Sequence, residues 1–451
     1  MKRFFIIFSL VFALAFVVSC GSSSKNNKDD NTDTTDTEAP DNADSSDTEE
    51  PDSEEPYTEG SDTEGPDTEE PDTEGPDTEE PDMSDSANED DSDNSDSESD
   101  DDTDNSDSES DDDTDFEDDD ADPESDELAK NATDPIGKFT DNFGATHYIS
   151  KITWFQPSVY GDSIFHIKQY NIDNDFIIAQ NDAVKSFNPE KWSRFDYAQK
   201  GKKLYYCQIA FDKNTEAEAL AVTDADKTDL EKGCNDNPWT ELIEVVETGI
   251  DKDSDKIVAW ATGYEDYIAG GNVDEKWKTP EKALGKAKGD SFDVVVLGNG
   301  GSIILTFDKP ITDGEGADFA VFENSTNDIF LEIGTVEVSS DGENFVTFDH
   351  YYLGVEAVEE YGGHDAKLIW GFAGKFRQGT GNMFDLAELA EKPEVKEGKV
   401  DLNSITHVKI VDVIGDGNQL DSIGDPIYDP YPNKGSAGFD LDAIAVINEK
   451  E

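Results

Sequence analysis

Over residues 294–348 the chain alternates between apolar runs of four to eight residues and breaks of Gly, Asp or Asn. The runs include Val294-Val-Val-Leu, Ser302-Ile-Ile-Leu-Thr-Phe, Ala317-Asp-Phe-Ala-Val-Phe, Thr335-Val-Glu-Val-Ser-Ser and Glu343-Asn-Phe-Val-Thr-Phe. β-branched and aromatic residues dominate them, which predicts consecutive short strands in an all-β domain. Residues 406–413 and 438–447 repeat the pattern, and six or more such strands predict a β-sandwich or jelly roll over 251–451. Upstream, 164–170, 176–180 and 203–210 predict strands of a separate β-rich domain over 136–250, the first two joined by turn residues Asn171, Asp173 and Asn174. Helical signals are few. Thr215-Glu-Ala-Glu218 forms a capping box, Pro280 sits at a first helical position behind Thr279, and a short helix is expected near 385–388.

The N-terminal part has neither rhythm. Met1-Lys2-Arg3 precedes an apolar run over 4–18, too short for a spanning helix and placed as a signal peptide is. The run ends in Val17-Val18-Ser19-Cys20-Gly21, which resembles a bacterial lipobox. The resemblance implies a lipoprotein signal over 1–20, acylation of Cys20, a membrane partner reached through lipid, and a lipid-anchored protein of the outer membrane facing the cell surface. Gly21 supports the outer membrane, because lipoproteins kept on the inner membrane usually carry Asp there. From 21 to 135 there are 51 acidic and 3 basic residues, within a chain whose net charge is −75. With so little apolar surface to bury, this segment is expected to be disordered. Pentads of the form D-T-E-E-P or D-T-E-G-P fill 47–81, and the unit D-N-S-D-S-E-S-D-D-D-T occurs at 93–103 and again at 104–114. Like-charge repulsion and proline favour an extended tether, with a contour on the order of 380 Å. A cation-collecting polyanion is the other reading of the same carboxylates. Nucleic acid is not an expected partner, since the remainder of the chain is acidic too and phosphate would be repelled.

Cys207 and Cys234 are the thiols left once Cys20 is acylated, and a secreted chain meets an oxidising compartment, so they are expected to form a disulfide. No histidine lies near either, which leaves a zinc site short of ligands. Around them, Asp141-Asn-Phe-Gly144 with His147, Ala179-Gln-Asn-Asp182, Trp192-Ser-Arg-Phe-Asp196, Tyr205-Tyr-Cys-Gln208 and Pro238-Trp239-Thr240 resemble a module of bacterial lipoproteins of unassigned function. His147, Gln180, Asn181, Asp182 and Arg194 are read as buried hydrogen-bonded turns, with a small polar pocket as the alternative.

In the second domain, Asp318-Phe-Ala-Val-Phe-Glu-Asn324, Val338-Ser-Ser-Asp-Gly342 and Asp425-Pro-Ile-Tyr-Asp-Pro-Tyr431 with Gly438-Phe-Asp-Leu-Asp442 resemble the galactose-binding-like, discoidin-type jelly rolls, and a cell-surface family of unassigned function more closely still. The long loop over 351–399 departs from that pattern, so no single ligand transfers. Trp370, Tyr428 and Tyr431 lie in the longest loops and are the candidate saccharide-binding rings. Asp412, Asp416, Asp421, Asp425 and Asp429 fall among Gly415, Gly417, Gly424 and Pro426, with Asp440 and Asp442 following on one face of the closing strand. A loop so composed offers carboxylate and carbonyl oxygens to Ca²⁺, the expected cofactor. Asp251-Lys-Asp-Ser-Asp255 starts like a Ca²⁺ loop, but Lys256 and Thr262 break the pattern, and it is read as an interdomain linker.

No G-x-S-x-G, H-E-x-x-H, Walker or G-x-G-x-x-G motif occurs, and the five histidines are scattered. The expectation is a surface-anchored, non-catalytic binding or adhesion lipoprotein, its sandwich recognising a saccharide or another surface partner and stabilised by calcium. The alternatives are a polysaccharide hydrolase and a structural envelope protein with a cation-binding tether. The sequence carries no signal for oligomeric state.

Overall fold

The computed structural model describes residues 128–129 and 131–451. The signal, Cys20 and nearly all of the acidic segment lie outside the described residues. What is described is all-β in character, with a few short helices and one disulfide.

Strands β1 (Gly137–Asp141), β2 (Thr146–Ile149), β3 (Thr153–Gln156), β4 (Ser163–Asn171), β5 (Phe176–Asn181), β6 (Trp192–Lys200), β7 (Lys203–Lys213) and β8 (Thr240–Glu244) pair antiparallel in chain order. β8 returns to β1 and closes a barrel, a more definite architecture than the β-rich domain expected. Closure leaves no open sheet edge. Phe139, Ile149, Trp154, Phe165, Ile177, Phe195 and Leu242 fill the interior. The β6–β7 turn needs only Gly201 and Lys202, because Gly201 adopts φ +60, the geometry that two-residue hairpins require. The β7–β8 connection carries α1 (Glu216–Leu220), capped by the Thr215 hydroxyl accepting from Glu218 N at 3.2 Å. Glu218 completes only part of the capping box, reaching Asn214 N rather than the cap's own N–H. Cys207 on β7 is bonded to Cys234 in the same connection, Cα to Cα 5.6 Å.

The second domain contains β9 (Ile250–Asp251), β10 (Ala259–Trp260), β11 (Gly263–Ile268), β12 (Val295–Val296), β13 (Ser302–Ile311), β14 (Phe319–Glu323), β15 (Gly334–Ser339), β16 (Val346–Thr347), β17 (Tyr351–Tyr352), β18 (Ile369–Trp370), β19 (Thr380–Phe384), β20 (Ile405–Asp412), β21 (Asp416–Leu420), β22 (Pro426–Tyr428) and β23 (Asp440–Val446). One sheet has the order β10-β23-β14-β19-β9 with β12 also on β23, and the facing sheet is β11-β13-β20-β15-β16. Leu297, Ile303, Leu305, Phe319, Val321, Val336, Val338, Val408, Ile410 and Leu441 pack between them. Asp251, in the segment read as a linker, already belongs to a strand paired with Thr380. At 280–283 the chain forms one 3₁₀ turn and Thr279 does not cap it, since its hydroxyl donates to Trp277 O and Val294 O instead.

Two local features set the site. β23 is buried along its whole length, and its pairing with β14 slips by one residue, from Phe322 opposite Ala443 to Glu323 opposite Leu441. Asp442 is the extra residue of this bulge. It turns to the N–H groups of Lys288 and Gly289, while Asp440 turns to Asn324. Barrel and sandwich meet along Tyr148 and Phe155 against Tyr351, ring centroids 4.1 and 5.4 Å apart, with Leu353 and Trp370 in the same apolar cluster.

Candidate functional site

The seven aspartates expected to share one ion have separate jobs. Asp412 accepts from Gly300 N and Phe439 N, and burial pushes its carboxyl up to about 7. Gly438 permits this contact, because a Cβ there would overlap Asp412 Oδ1. Exposed Asp416 closes a turn onto Asn418 N at 3.0 Å. Asp421 accepts from Tyr352 N, Ile423 N and Asp425 N. Asp425 accepts from the barrel's Thr153 hydroxyl at 3.0 Å, and Asp429 pairs with His364 Nε2 at 3.0 Å. Among the described residues no three of the seven bring carboxylate oxygens within 4.8 Å of one another. The physical reason is local: in loops broken by glycine, short Asp side chains satisfy nearby backbone N–H groups before they can converge. The acidic triplet that does come that close is Asp313, Asp318 and Asp385, and two of its members are engaged in hydrogen bonds. Both Asp318 oxygens accept, from Gly314 N, Asn448 Nδ2 and Leu386 N, and Asp385 caps Ala387 N.

Asp440 leads to a different place. It lies at the floor of a cleft of about 260 Å³ lined by Trp277, Ser291, Phe292, Asn324, Glu332, Tyr361, Asn433 and Ser436 among others. The rim is aromatic. Trp277 and Phe292 stack at 6.3 Å with planes 17° apart, Phe292 is 71% exposed and Tyr361 is 82% exposed. Lys276 and Lys282 lie 5.1 and 6.0 Å from the Trp277 centroid. The walls are tied together, since Asp274 N donates to Gly435 O at 2.8 Å and Val273 bridges Gly435 and Ser436.

The floor is carboxylate and amide. Asn324 Nδ2 donates to Asp440 Oδ2 at 3.0 Å and to Ser291 O at 2.9 Å. Asn433 Nδ2 donates to Glu332 Oε1 at 2.7 Å, and Gly438 N donates to the same oxygen at 3.1 Å. Each amide thereby fixes one carboxylate oxygen. Burial first, then the charges of Asp440, Asp429, Glu323 and Asp412, push Glu332 well above the ordinary carboxylate range. Asp440 rises well above it for the same reason, burial, with Asp412 adding to it and the Asn324 bond opposing it. Glu323 beneath them is raised by burial and by Asp440.

The expected rings lie elsewhere. Trp370 is only 4% exposed, its Nε1 donates to Lys367 O, and Lys375 Nζ and Lys138 Nζ lie 3.5 and 4.8 Å from its centroid. A ring so covered offers no open face to a sugar. Trp370 and Lys138 instead line a second cleft, of about 460 Å³, where barrel and sandwich meet, with Glu247 holding Lys375 at 2.8 Å. Tyr428 packs in the cluster around Tyr352, ring centroids 6.3 Å apart, and Tyr431 is 38% exposed. A third cleft, of about 570 Å³, has His364 in its wall. That histidine is held neutral by burial, its pKa lowered to about 4.

In the barrel, His147 meets Asp141 at 3.2 Å, Asn181 bonds Asn188 O, Phe211 O and Ser193, and Arg194 ties Asp196 and Asp224 to Leu220 O and Val222 O. Asp182 pairs with His166, and Gln180 donates weakly to Glu190 O at 3.5 Å. These are ties between strands and connections. The sequence reading missed Trp277, Phe292, Tyr361, Asn324, Glu332 and Asn433; one signal was available, the Glu323-Asn324 pair ending an otherwise apolar strand.

No family model and no curated protein matches the chain. A solved structure titled glycoside hydrolase aligns at 8% identity over 70% of this chain and 71% of its own, with a TM-score of 0.18. Likeness at that level supports no statement about activity.

Proposed function

We propose that the protein is a non-catalytic binding or adhesion lipoprotein, anchored through Cys20, whose sandwich domain holds a saccharide in the Trp277–Tyr361 cleft. The observation that carries this reading is the pairing of exposed aromatic faces, Phe292 and Tyr361, with a floor of fixed carboxylate and amide groups. Aromatic faces suit the C–H surfaces of a sugar ring, and oriented oxygens and amides suit its hydroxyls. A hydrolase is the second reading, because Glu332 and Asp440 are two carboxyls in one cleft, both raised by burial and Glu332 also by the Asp440 charge, and raised carboxyls serve as general acids. Purified protein on a glycan array, run beside a panel of polysaccharide substrates, separates them. Retention of a glycan without turnover supports the binding reading, turnover replaces it with the hydrolase, and the absence of both retention and turnover removes the saccharide from the account.

A further inference from the structure

We propose that the inner end of this cleft is a divalent-cation site, suited to Ca²⁺, formed by Asp440 Oδ1, Asn433 Oδ1 and Glu332. The proposal stands apart from the saccharide reading. It rests on two oxygens that lack partners: Asp440 Oδ1 and Asn433 Oδ1 are shielded from solvent and have no hydrogen-bond donor. Their residues are 7% and 6% exposed and both line the cleft. A buried acceptor left without a donor is unfavourable, so two in one cleft favour a bound ligand that supplies what they lack.

The surrounding bonds use the other atoms of these residues and leave both oxygens without a donor in the same cleft. Asn433 turns its Nδ2 to Glu332 Oε1, which leaves its own carbonyl oxygen free, and the bonds from Asn433 and Gly438 do not use Glu332 Oε2. Asn324 holds Asp440 by Oδ2, which leaves Oδ1. Asn433 and Asn324 therefore act as positioning residues for two carboxylates, and Asn433 offers a further oxygen itself.

Charge decides what fits. The principal charges acting on Glu332 are other carboxylates, Asp440, Asp429, Glu323 and Asp412. A buried water could donate to the orphaned oxygens, but it would leave that repulsion in place. A divalent cation satisfies the oxygens and removes the repulsion together. The donors are all oxygen, two carboxylates and one amide carbonyl, which favours a hard cation. Ca²⁺ tolerates such an irregular set and completes its shell with water, whereas Mg²⁺ demands octahedral geometry and gives up water reluctantly.

The test uses the whole protein, stripped with chelator and then titrated with Ca²⁺ alone while its melting is followed by calorimetry. A ligand that binds the folded state raises the melting temperature by mass action, and a shift of ~3 °C or more at millimolar Ca²⁺ is expected, with a smaller one for Mg²⁺. Glu332→Gln and Asn433→Ser should each remove most of the shift. Both retain the acidic segment, so calcium collected there is common to all the proteins compared. Should either variant fail to fold, Tb³⁺ bound to the wild-type protein supplies a second reading, because Trp277 in the cleft wall would sensitise its emission and Trp277→Phe would lower that emission without altering the Ca²⁺ shift. No shift in the wild-type protein overturns the proposal, as does a shift of equal size in both variants. The two readings fail separately: a calcium shift with no glycan retained removes only the saccharide, and chelator-resistant glycan retention with no calcium shift removes only the cation.

Discussion

Trp277 and Tyr361 do different work from Trp370, although all three are aromatic residues of the second domain. Trp370 is sealed by two ammonium groups and packs against the barrel, so Trp370→Ala should lower stability by about 3 kcal/mol or more, as loss of a buried Trp does. Tyr361 is open, so Tyr361→Ala and Trp277→Ala should weaken glycan retention about tenfold or more while melting stays within a few degrees. Retention unchanged in both variants would place the saccharide elsewhere. Asp425 gives a pH signature. Burial, aided by the Asp421 charge and opposed by the Thr153 bond, lifts its carboxyl from 3.8 to about 6, and its Oδ2 has no partner. The folded protein therefore keeps a proton that the unfolded chain releases, so stability falls as pH rises through about 4 to 6. Asp425→Asn should gain on the wild-type protein across that window, by up to about 3 kcal/mol at pH 7 and little at pH 4. Parallel stability curves from calorimetry at both pH values would refute it.

At the scale of elements, the long β7–β8 connection would be a loose excursion from the barrel without its ties. Arg194 gathers Leu220 O, Val222 O and Asp224, Asp196 accepts from Ala225 N, and Trp239 Nε1 donates to Asp226 O. The disulfide spans a separation of 27 residues, for which the chain-entropy account gives about 3 kcal/mol. Cys207→Ser with Cys234→Ser should lower barrel stability by that order and expose 214–239 to protease first. Equal protease patterns with and without reductant would show that the hydrogen bonds alone hold the connection. The pairing was legible because the chain has three cysteines and one of them, Cys20, lies in a segment that resembles a lipobox. The bulge at Asp442 was not legible, because a one-residue slip is set by how β14 and β23 pack and leaves no mark on the alternation of either strand.

For the whole molecule, barrel and sandwich share the Tyr148, Phe155 and Tyr351 contact, the Thr153 to Asp425 bond and the Lys375 to Glu247 pair. This mixed apolar and ionic seam joins them more closely than separate beads on a string. On the proposed reading, anchoring falls to Cys20, outside the described residues. Cys20→Ala should release the protein from membranes into the soluble fraction, and limited proteolysis should remove residues before about 136 and leave the barrel and sandwich intact. A Cys20→Ala protein that still sediments with membranes would show that something other than acylation holds it there.

The sequence by itself determined the division into an apolar N-terminal run, an acidic segment and a β-rich remainder, together with the disulfide and most strand positions. Those features depend on local composition, alternation along a strand and a count of cysteines, all of which are properties of neighbours in the chain. Only the tertiary structure decided that the barrel closes, that five of the seven aspartates serve backbone N–H groups while Asp425 and Asp440 take side-chain donors, and that Trp277, Asn324, Glu332, Tyr361, Asn433 and Asp440 surround one cleft. In so acidic a chain any aspartate looks as suitable as the next. What distinguishes Asp440 is burial, an amide holding one of its oxygens and no donor for the other, conditions that exist only once residues more than a hundred positions apart are packed together.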